Sequence, residues 1–335
     1  MAVERLSRRR MAVALVVSAA AAVAALVLTP LVGSTQIGLD RALAGLSPDK
    51  EVLFDLRLSR VVLAMIAGGC LSMAGALFQA LLRDALATPY TLGVSSGASL
   101  GAVLALTLGY RYAGALPALW LGAFIGAALV LAVVMRLSTE GGRMSSFTLL
   151  LAGVTINSIC LALILFLHST AGFVQSFAIT RWLMGGIEPV EYSTLIWLVL
   201  LLSPAILFIL RSARQWNLLA VGEEWAQARG VSADRLMKTG YVAGSLLTGA
   251  VTALTGPIGF VGLIVPHALR LWMGADHRLL LPCSFLWGAA FLAVCDMAAR
   301  IVLAPAEVPV GVITALLGGP FFLWLLRSRR RSLWL

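Results

Sequence analysis

The stretch RLSRVVLAMIAGGCLSMAGALFQALLRDALATPYTLGVSSGASLGA, residues 57–102, decides what kind of protein this is. From Arg60 to Leu82 it is apolar over the roughly 20 residues that a helix needs to cross a bilayer. A second, shorter run at 91–108 follows Pro89 and is rich in glycine. Gly93, Gly97 and Gly101 recur at i, i+4 and i+8 and so share one helix face, and Gly122 and Gly126 repeat the spacing. Small residues so placed let helix backbones touch, which predicts a compact bundle of membrane helices.

The composition of the whole chain agrees. Only 12% of its 335 residues are charged and 60% are hydrophobic, with a mean hydropathy of +0.97. Soluble domains carry about a quarter charged residues. The net charge of +10 sits in short clusters between long apolar runs, which excludes a disordered or nucleic-acid-binding chain and makes the charge a statement about orientation. Cys70, Cys160, Cys283 and Cys295 all lie in apolar stretches with no CxxC pair and no histidine at ligand spacing, so buried thiols are expected, with neither a disulfide nor a metal site. Arg5, Arg8, Arg9 and Arg10 precede an apolar run from Met11 to Leu28 that is longer than a signal-peptide core of about 7–15 residues, and it is read as the first membrane helix.

Hydropathy places ten spans, near 11–33, 60–82, 91–108, 114–136, 146–168, 192–211, 238–256, 258–273, 279–299 and 308–326. The short, Gly- and Pro-containing spans at 91–108 and 258–273 read as helices that start part-way through the bilayer. With both termini cytoplasmic, about 18 of the 25 Lys and Arg residues fall inside and 7 outside, as the positive-inside rule requires. Two loops exceed a turn: an outer one at 34–59, and an inner one at 212–237 that reads as two short helices broken at Gly222 or Gly230. AGALFQALL before Pro89 and TGAVTALTG before Ile258 echo each other in segments of opposite direction, which suits an inverted repeat.

Enzyme chemistry has little to build on. His168, His267 and His277 are scattered, HExxH and GxSxG are absent, and Asp296 is the one carboxylate inside a span. Arg300 follows Asp296 by one turn, so a structural ion pair is expected rather than a proton relay, which leaves little for an ion-coupled secondary transporter to use. The two lysines, Lys50 and Lys238, stand in no P-loop. No catalytic residue and no cofactor are therefore expected in this chain, and any ATP and Mg²⁺ would bind a separate subunit.

Three stretches carry a family resemblance: residues 57–102, GFVGLIVPHALRLWMGADHRLLLP (259–282) and PVGVITALLGGPFFLWLL (309–326). In this order they resemble the iron-chelate and vitamin B12 importer permeases of the FecCD family, from about Leu53 to Leu326. The resemblance implies a single all-α integral membrane domain of about ten transmembrane helices with the type II ABC importer permease fold. It also implies a homodimer with the pathway between its copies in a bacterial inner membrane, two ATPase subunits beneath, and a periplasmic or lipid-anchored solute-binding protein above. A ferric siderophore is the expected cargo, with cobalamin and haem as alternatives.

Site residues follow from the same resemblance. VGEEWAQARGV (221–231) resembles the segment that docks in the ATPase, implicating Leu219, Gly222, Glu223, Glu224, Ala226, Gly230 and Val231, with Arg229 where relatives usually carry leucine. Arg57, Arg60 and Arg300 match arginines that grip acidic residues of the binding protein. Asp84, Leu86, Ser146 and Phe147 correspond to a cytoplasmic gate, although Asp84-Ala85 replaces the usual Asn-Pro. His168, near the outer end of its helix, is a surface residue in the plainer reading and a haem contact in the other.

Overall fold

A computed structural model describes residues 8–109, 115–141 and 143–329, apart from 34 and 36. Of the arginines counted for orientation, Arg5, Arg111, Arg330 and Arg331 lie outside these residues. The ten expected spans each coincide with one helix: α1 (Arg8–Leu28), α4 (Ser59–Leu82), α5 (Val94–Gly109), α6 (Ala115–Ser138), α7 (Ser146–Thr170), α9 (Tyr192–Arg211), α12 (Ala233–Thr255), α13 (Val261–Met273), α14 (His277–Ile301) and α15 (Val310–Arg329). Short helices connect them: α2 (Leu39–Leu43), α3 (Asp49–Glu51), α8 (Phe173–Leu183), α10 (Ala213–Val221) and α11 (Glu223–Ala228). A two-stranded antiparallel hairpin, Thr139–Glu140 with Arg143–Met144, joins α6 to α7.

Six of the helices are long and apolar enough by themselves to cross a membrane. α12 is long enough but carries Ser245, Thr248, Thr252 and Thr255, all buried, so its polarity faces protein. α5, α13 and α15 are the shorter apolar helices. The 13 residues of α13 rise about 20 Å, well short of the roughly 30 Å hydrocarbon layer. The non-helical stretches that lead into α5 and α13 meet inside the bundle, where Thr88, Pro89 and Tyr90 face Ile258, Phe260 and Gly262 beside Leu71. Leu71 is the midpoint of α4, so these two shorter helices begin inside the bundle, with their entry stretches packed against protein.

α4 is the centre of the bundle and packs against α14, α12 and α13. Small residues make that possible: Ala64, Ala67, Gly68, Ser72, Ala74 and Gly75 are all buried and allow neighbouring backbones to approach. A Cβ added to Gly75 would lie 2.0 Å from the carbonyl oxygen of Gly262 on α13. The glycine stripe seen in the sequence works in the same way, since a Cβ on Gly101 of α5 would sit 2.0 Å from the carbonyl oxygen of Gly122 on α6.

Three boundaries differ from expectation. α4 continues upward through a π-helical turn at Val52–Leu58 into α3, so half of the outer loop at 34–59 is helical. α8 was not expected; at 11 residues it is too short to register as a span. The inner segment ends at Ser232 rather than 237, because α12 extends to Ala233 with Asp234 in its first turn, where a carboxylate suits the helix dipole.

Candidate functional site

At the end of the bundle that carries the 212–237 segment, α9 turns into α10, Gly222 breaks the chain, and α11 follows. α11 ends on Gly230 (φ +77°), where the Gly230 N–H donates to Gln227 O (2.9 Å) and the Val231 N–H to Ala226 O (3.0 Å). That pair of bonds is a Schellman motif, so Ala226, Gly230 and Val231 serve the turn itself. Leu219 and Ala226 are fully buried and anchor the segment, leaving Glu224, Gln227, Ala228 and Arg229 exposed. Two large apolar side chains stand out among them, Val221 (68% exposed) and Trp225 (60%), at i and i+4. The sequence reading missed both, because apolar character alone does not distinguish a buried anchor from an exposed one.

Two polar links tie this segment to the bundle. The Glu223 carboxylate Oε1 accepts from Arg83 Nη2 at 2.8 Å and from Ser146 Oγ at 3.4 Å, and Ser146 Oγ lies 3.4 Å from Leu81 O. α11 is thereby joined to the end of α4, where Arg83 adopts a left-handed conformation (φ 53°), and to the first residue of α7. The second link is Asn217 of α10: its Nδ2 donates to Asp276 Oδ1 (2.8 Å), and its Oδ1 accepts from the His277 N–H (2.8 Å) at the start of α14. Burial works against ionising Asp276, but hydrogen bonds from Arg278 and Asn217 prevail and hold its carboxyl down at about 2. Asp276 is therefore a charged N-cap at neutral pH.

The structure thus brings the residues assigned to coupling and to the gate into direct contact through Glu223 and Ser146. Asp84 Oδ1 accepts from the Leu86 N–H at 2.9 Å, shaping the turn after α4. Leu86 and Phe147 are exposed on this same end, at 55% and 74%. Arg83, Asn217 and Asp276 complete the arrangement and were not singled out from the sequence, since nothing local marks their long-range partners.

At the opposite end, Arg57, Arg60 and Arg300 do converge, but they point inward and not into solvent. Arg60 donates from Nη2 to Asp296 Oδ1 (3.0 Å) and from Nη1 to Glu307 Oε2 (2.8 Å). Arg300 Nε pairs with Asp296 Oδ2 at 3.3 Å, the expected i, i+4 ion pair, while its Nη1 and Nη2 donate to Val32 O and Thr29 O, both at 3.2 Å. Arg57 donates to Pro30 O (3.3 Å) and to the Thr35 hydroxyl (3.1 Å). Two guanidiniums therefore satisfy carbonyls that the C-terminal end of α1 leaves without helical partners. Asp296 is 0% exposed and Arg57 and Arg300 are buried, so of the three arginines expected at the docking site Arg60 is the one that reaches the surface, through its pair with Glu307. Beside that edge a cavity of ≈ 630 Å³ is lined by Arg60, Trp120, Arg181, Trp182, Glu188 and Glu307.

His168 Nε2 lies 2.9 Å from Ser176 Oγ and 3.1 Å from Thr180 Oγ1, fastening α8 back onto α7. The four cysteines are buried free thiols.

Comparison with known proteins places this architecture. The FecCD transport family model matches residues 10–328. The haemin transport system permease HmuU of Yersinia pestis is 40% identical, with 84% of this chain and 85% of that one aligned. An uncharacterised ABC transporter permease of Bacillus subtilis, YvrB, is 42% identical over 84% and 80% of the two chains. The vitamin B12 import permease BtuC of Klebsiella pneumoniae is 40% identical over 84% and 85%. A solved structure described as an inward-facing metal-chelate type ABC transporter superposes with a TM-score of 0.83 at 28% identity, covering 95% of this chain and 99% of the other. An all-helical, multi-pass membrane bundle with these relatives over nearly its whole length belongs to the FecCD transport family, as an ABC importer permease.

Proposed function

We propose that this permease carries a metal chelate inward across a bacterial cytoplasmic membrane by alternating access, as a homodimer with the pathway between its copies. The α10–α11 face of each copy docks one ATPase subunit, two in all, and a solute-binding protein delivers cargo at the opposite end. The observation that carries this reading is the Arg83–Glu223–Ser146 link, which connects an exposed, rigid two-helix element to the ends of α4 and α7. A rigid push on α11 then reaches both helices without crossing a flexible loop. Val221 and Trp225 supply the apolar knob that a partner's cleft would hold. Leu86, in the turn after α4, and Phe147, at the start of α7, are both exposed and become the inner gate when two copies face each other.

At the outer end the arginine cluster frames the docking site, and a carboxylate of the binding protein reaches it by competing with Glu307 for Arg60. The names of the relatives favour haemin and vitamin B12 over the ferric siderophore expected from the sequence. Uptake by proteoliposomes holding the cognate ATPase, supplied with binding protein and with ferric siderophore, haemin or cobalamin in turn, selects among them. Failure of all three in a system that hydrolyses ATP would remove the metal-chelate assignment.

Charge exchange tests the coupling link. Arg83 and Glu223 are about one-third exposed, so the pair contributes less than about 1 kcal/mol to stability and its loss should leave the fold intact. Arg83→Glu and Glu223→Arg should each lower cargo moved per ATP hydrolysed several-fold, and the double exchange should restore it. Unchanged single variants, or a double variant no better than either, would sink the link.

The membrane orientation rests on the basic-residue asymmetry of 18 against 7. Cysteines introduced at Ser47 and Ser232 should react with impermeant reagents from opposite sides of the membrane. Labelling of both from one side overturns it.

A further inference from the structure

An open apolar groove of ≈ 450 Å³ runs along the outside of the bundle between α6, α9 and α12. Met135, Phe208, Val242 and Leu246 form its walls, and Lys238 and Thr239 stand at one end. From Lys238 to Leu246 the groove extends about 12 Å along α12. Its Lys238 end lies on the same side of the bundle as α10 and α11.

Three exposed arginines also stand close in sequence to that end. Arg136 follows the lining residue Met135, Arg211 lies three residues beyond Phe208, and Arg235 lies four residues before Thr239, so each stands within a helical turn of the groove. All three are exposed, and none forms an ion pair among the described residues, whereas Lys238 is held by Asp234 at 2.8 Å. An apolar slot of acyl-chain proportions with three exposed arginines close in sequence to one end of its lining fits an amphipathic anion. We infer that the groove is a binding site for one anionic phospholipid, with an acyl chain along α12 and the headgroup phosphate among Arg136, Arg211 and Arg235. Chains of any lipid fill such a groove about equally, because lipid tails and leucine side chains are alike in polarity. Selection therefore comes from the headgroup, at about fivefold per basic residue near the surface. A second copy of this chain laid on the same wall would set these arginines against their own duplicates, which disfavours a symmetric dimer there.

The site is independent of what the permease transports. Full-length permease carrying Thr239→Cys is labelled with an environment-sensitive fluorophore, the four native cysteines being buried, and reconstituted in phosphatidylcholine nanodiscs. Brominated phosphatidylglycerol should quench the label at about one-tenth the mole fraction needed with brominated phosphatidylcholine, or less. Arg136→Gln, Arg211→Gln and Arg235→Gln together should bring the ratio close to one. Equal quenching by the two lipids in the parent protein overturns the inference, as does a preference that survives the triple substitution. Absence of quenching by either lipid, the result expected of a groove covered by another protein chain, overturns it too.

Discussion

Replacing Asp296 by alanine is expected to cost about 3–5 kcal/mol, among the largest effects of any single side chain here. The carboxylate is 0% exposed and is shared by Arg60 and Arg300. Without it, Arg60 keeps Glu307, but Arg300 loses its only acidic partner among the described residues while remaining buried between α1 and α14. A buried charge stripped of its partner is far more costly than a pair replaced as a whole. The thermal midpoint of Asp296→Ala in detergent should fall by roughly 5–10 °C, and Asp296→Leu combined with Arg300→Met should recover most of that loss. Equal midpoints for Asp296→Ala and the parent protein would show that water reaches the cluster and that it does not hold this end of the bundle together. Because these arginines support the fold, a docking defect in an arginine variant means something only after its midpoint has been checked.

Gly75→Leu should prevent accumulation of folded protein altogether. Its Cβ would fall 2.0 Å from the carbonyl oxygen and 2.5 Å from the Cα of Gly262, both backbone atoms that no rotamer change can move aside. Even Gly75→Ala should cost about 1–3 kcal/mol, since α4 and α13 must separate to admit one methyl group. Gly172, the N-cap of α8, has nothing within 4 Å of an added Cβ and is the steric control, with Gly172→Ala losing only the cap preference of glycine over alanine, at most about 1 kcal/mol, and folding normally. Comparing the monodisperse yield and melting of the three variants checks the crossing of α4 and α13 directly. Normal folding of Gly75→Leu would mean that these helices do not touch there.

The parts of this structure that were legible in the sequence are those governed by local pattern. Long apolar runs located the ten helices, because the bilayer imposes a length and a polarity on each. The i, i+4 glycines announced which faces meet, and Gly101 does face Gly122. The break at Gly222 was visible because glycine interrupts an otherwise helical segment, and the turn at Gly230 because its left-handed conformation favours glycine. Asp296 and Arg300 paired as their spacing suggested.

What was not legible depends on partners distant in the chain. Arg60 reads as an exposed cation at a span boundary until Asp296, 236 residues later, is brought beside it. Arg83 reads as an ordinary inner-loop charge until Glu223, 140 residues away, accepts from it. α8 escaped because a short surface helix of mixed polarity has no membrane signature. The outward placement of Trp225 against the inward placement of Trp216 could not be read either; both are tryptophans on short helices, and only packing separates them.

The central claim, that this chain is the passive pathway of an ATP-driven importer, is tested most directly in proteoliposomes containing permease and cognate ATPase, with nucleotide trapped at the face bearing α10 and α11. Radiolabelled chelate offered with its binding protein on the other side should accumulate when ATP and Mg²⁺ are trapped, and should not accumulate with a nonhydrolysable analogue. Imposed proton or sodium gradients should add nothing. Accumulation driven by an ion gradient without ATP would contradict the account and identify the chain as a secondary transporter.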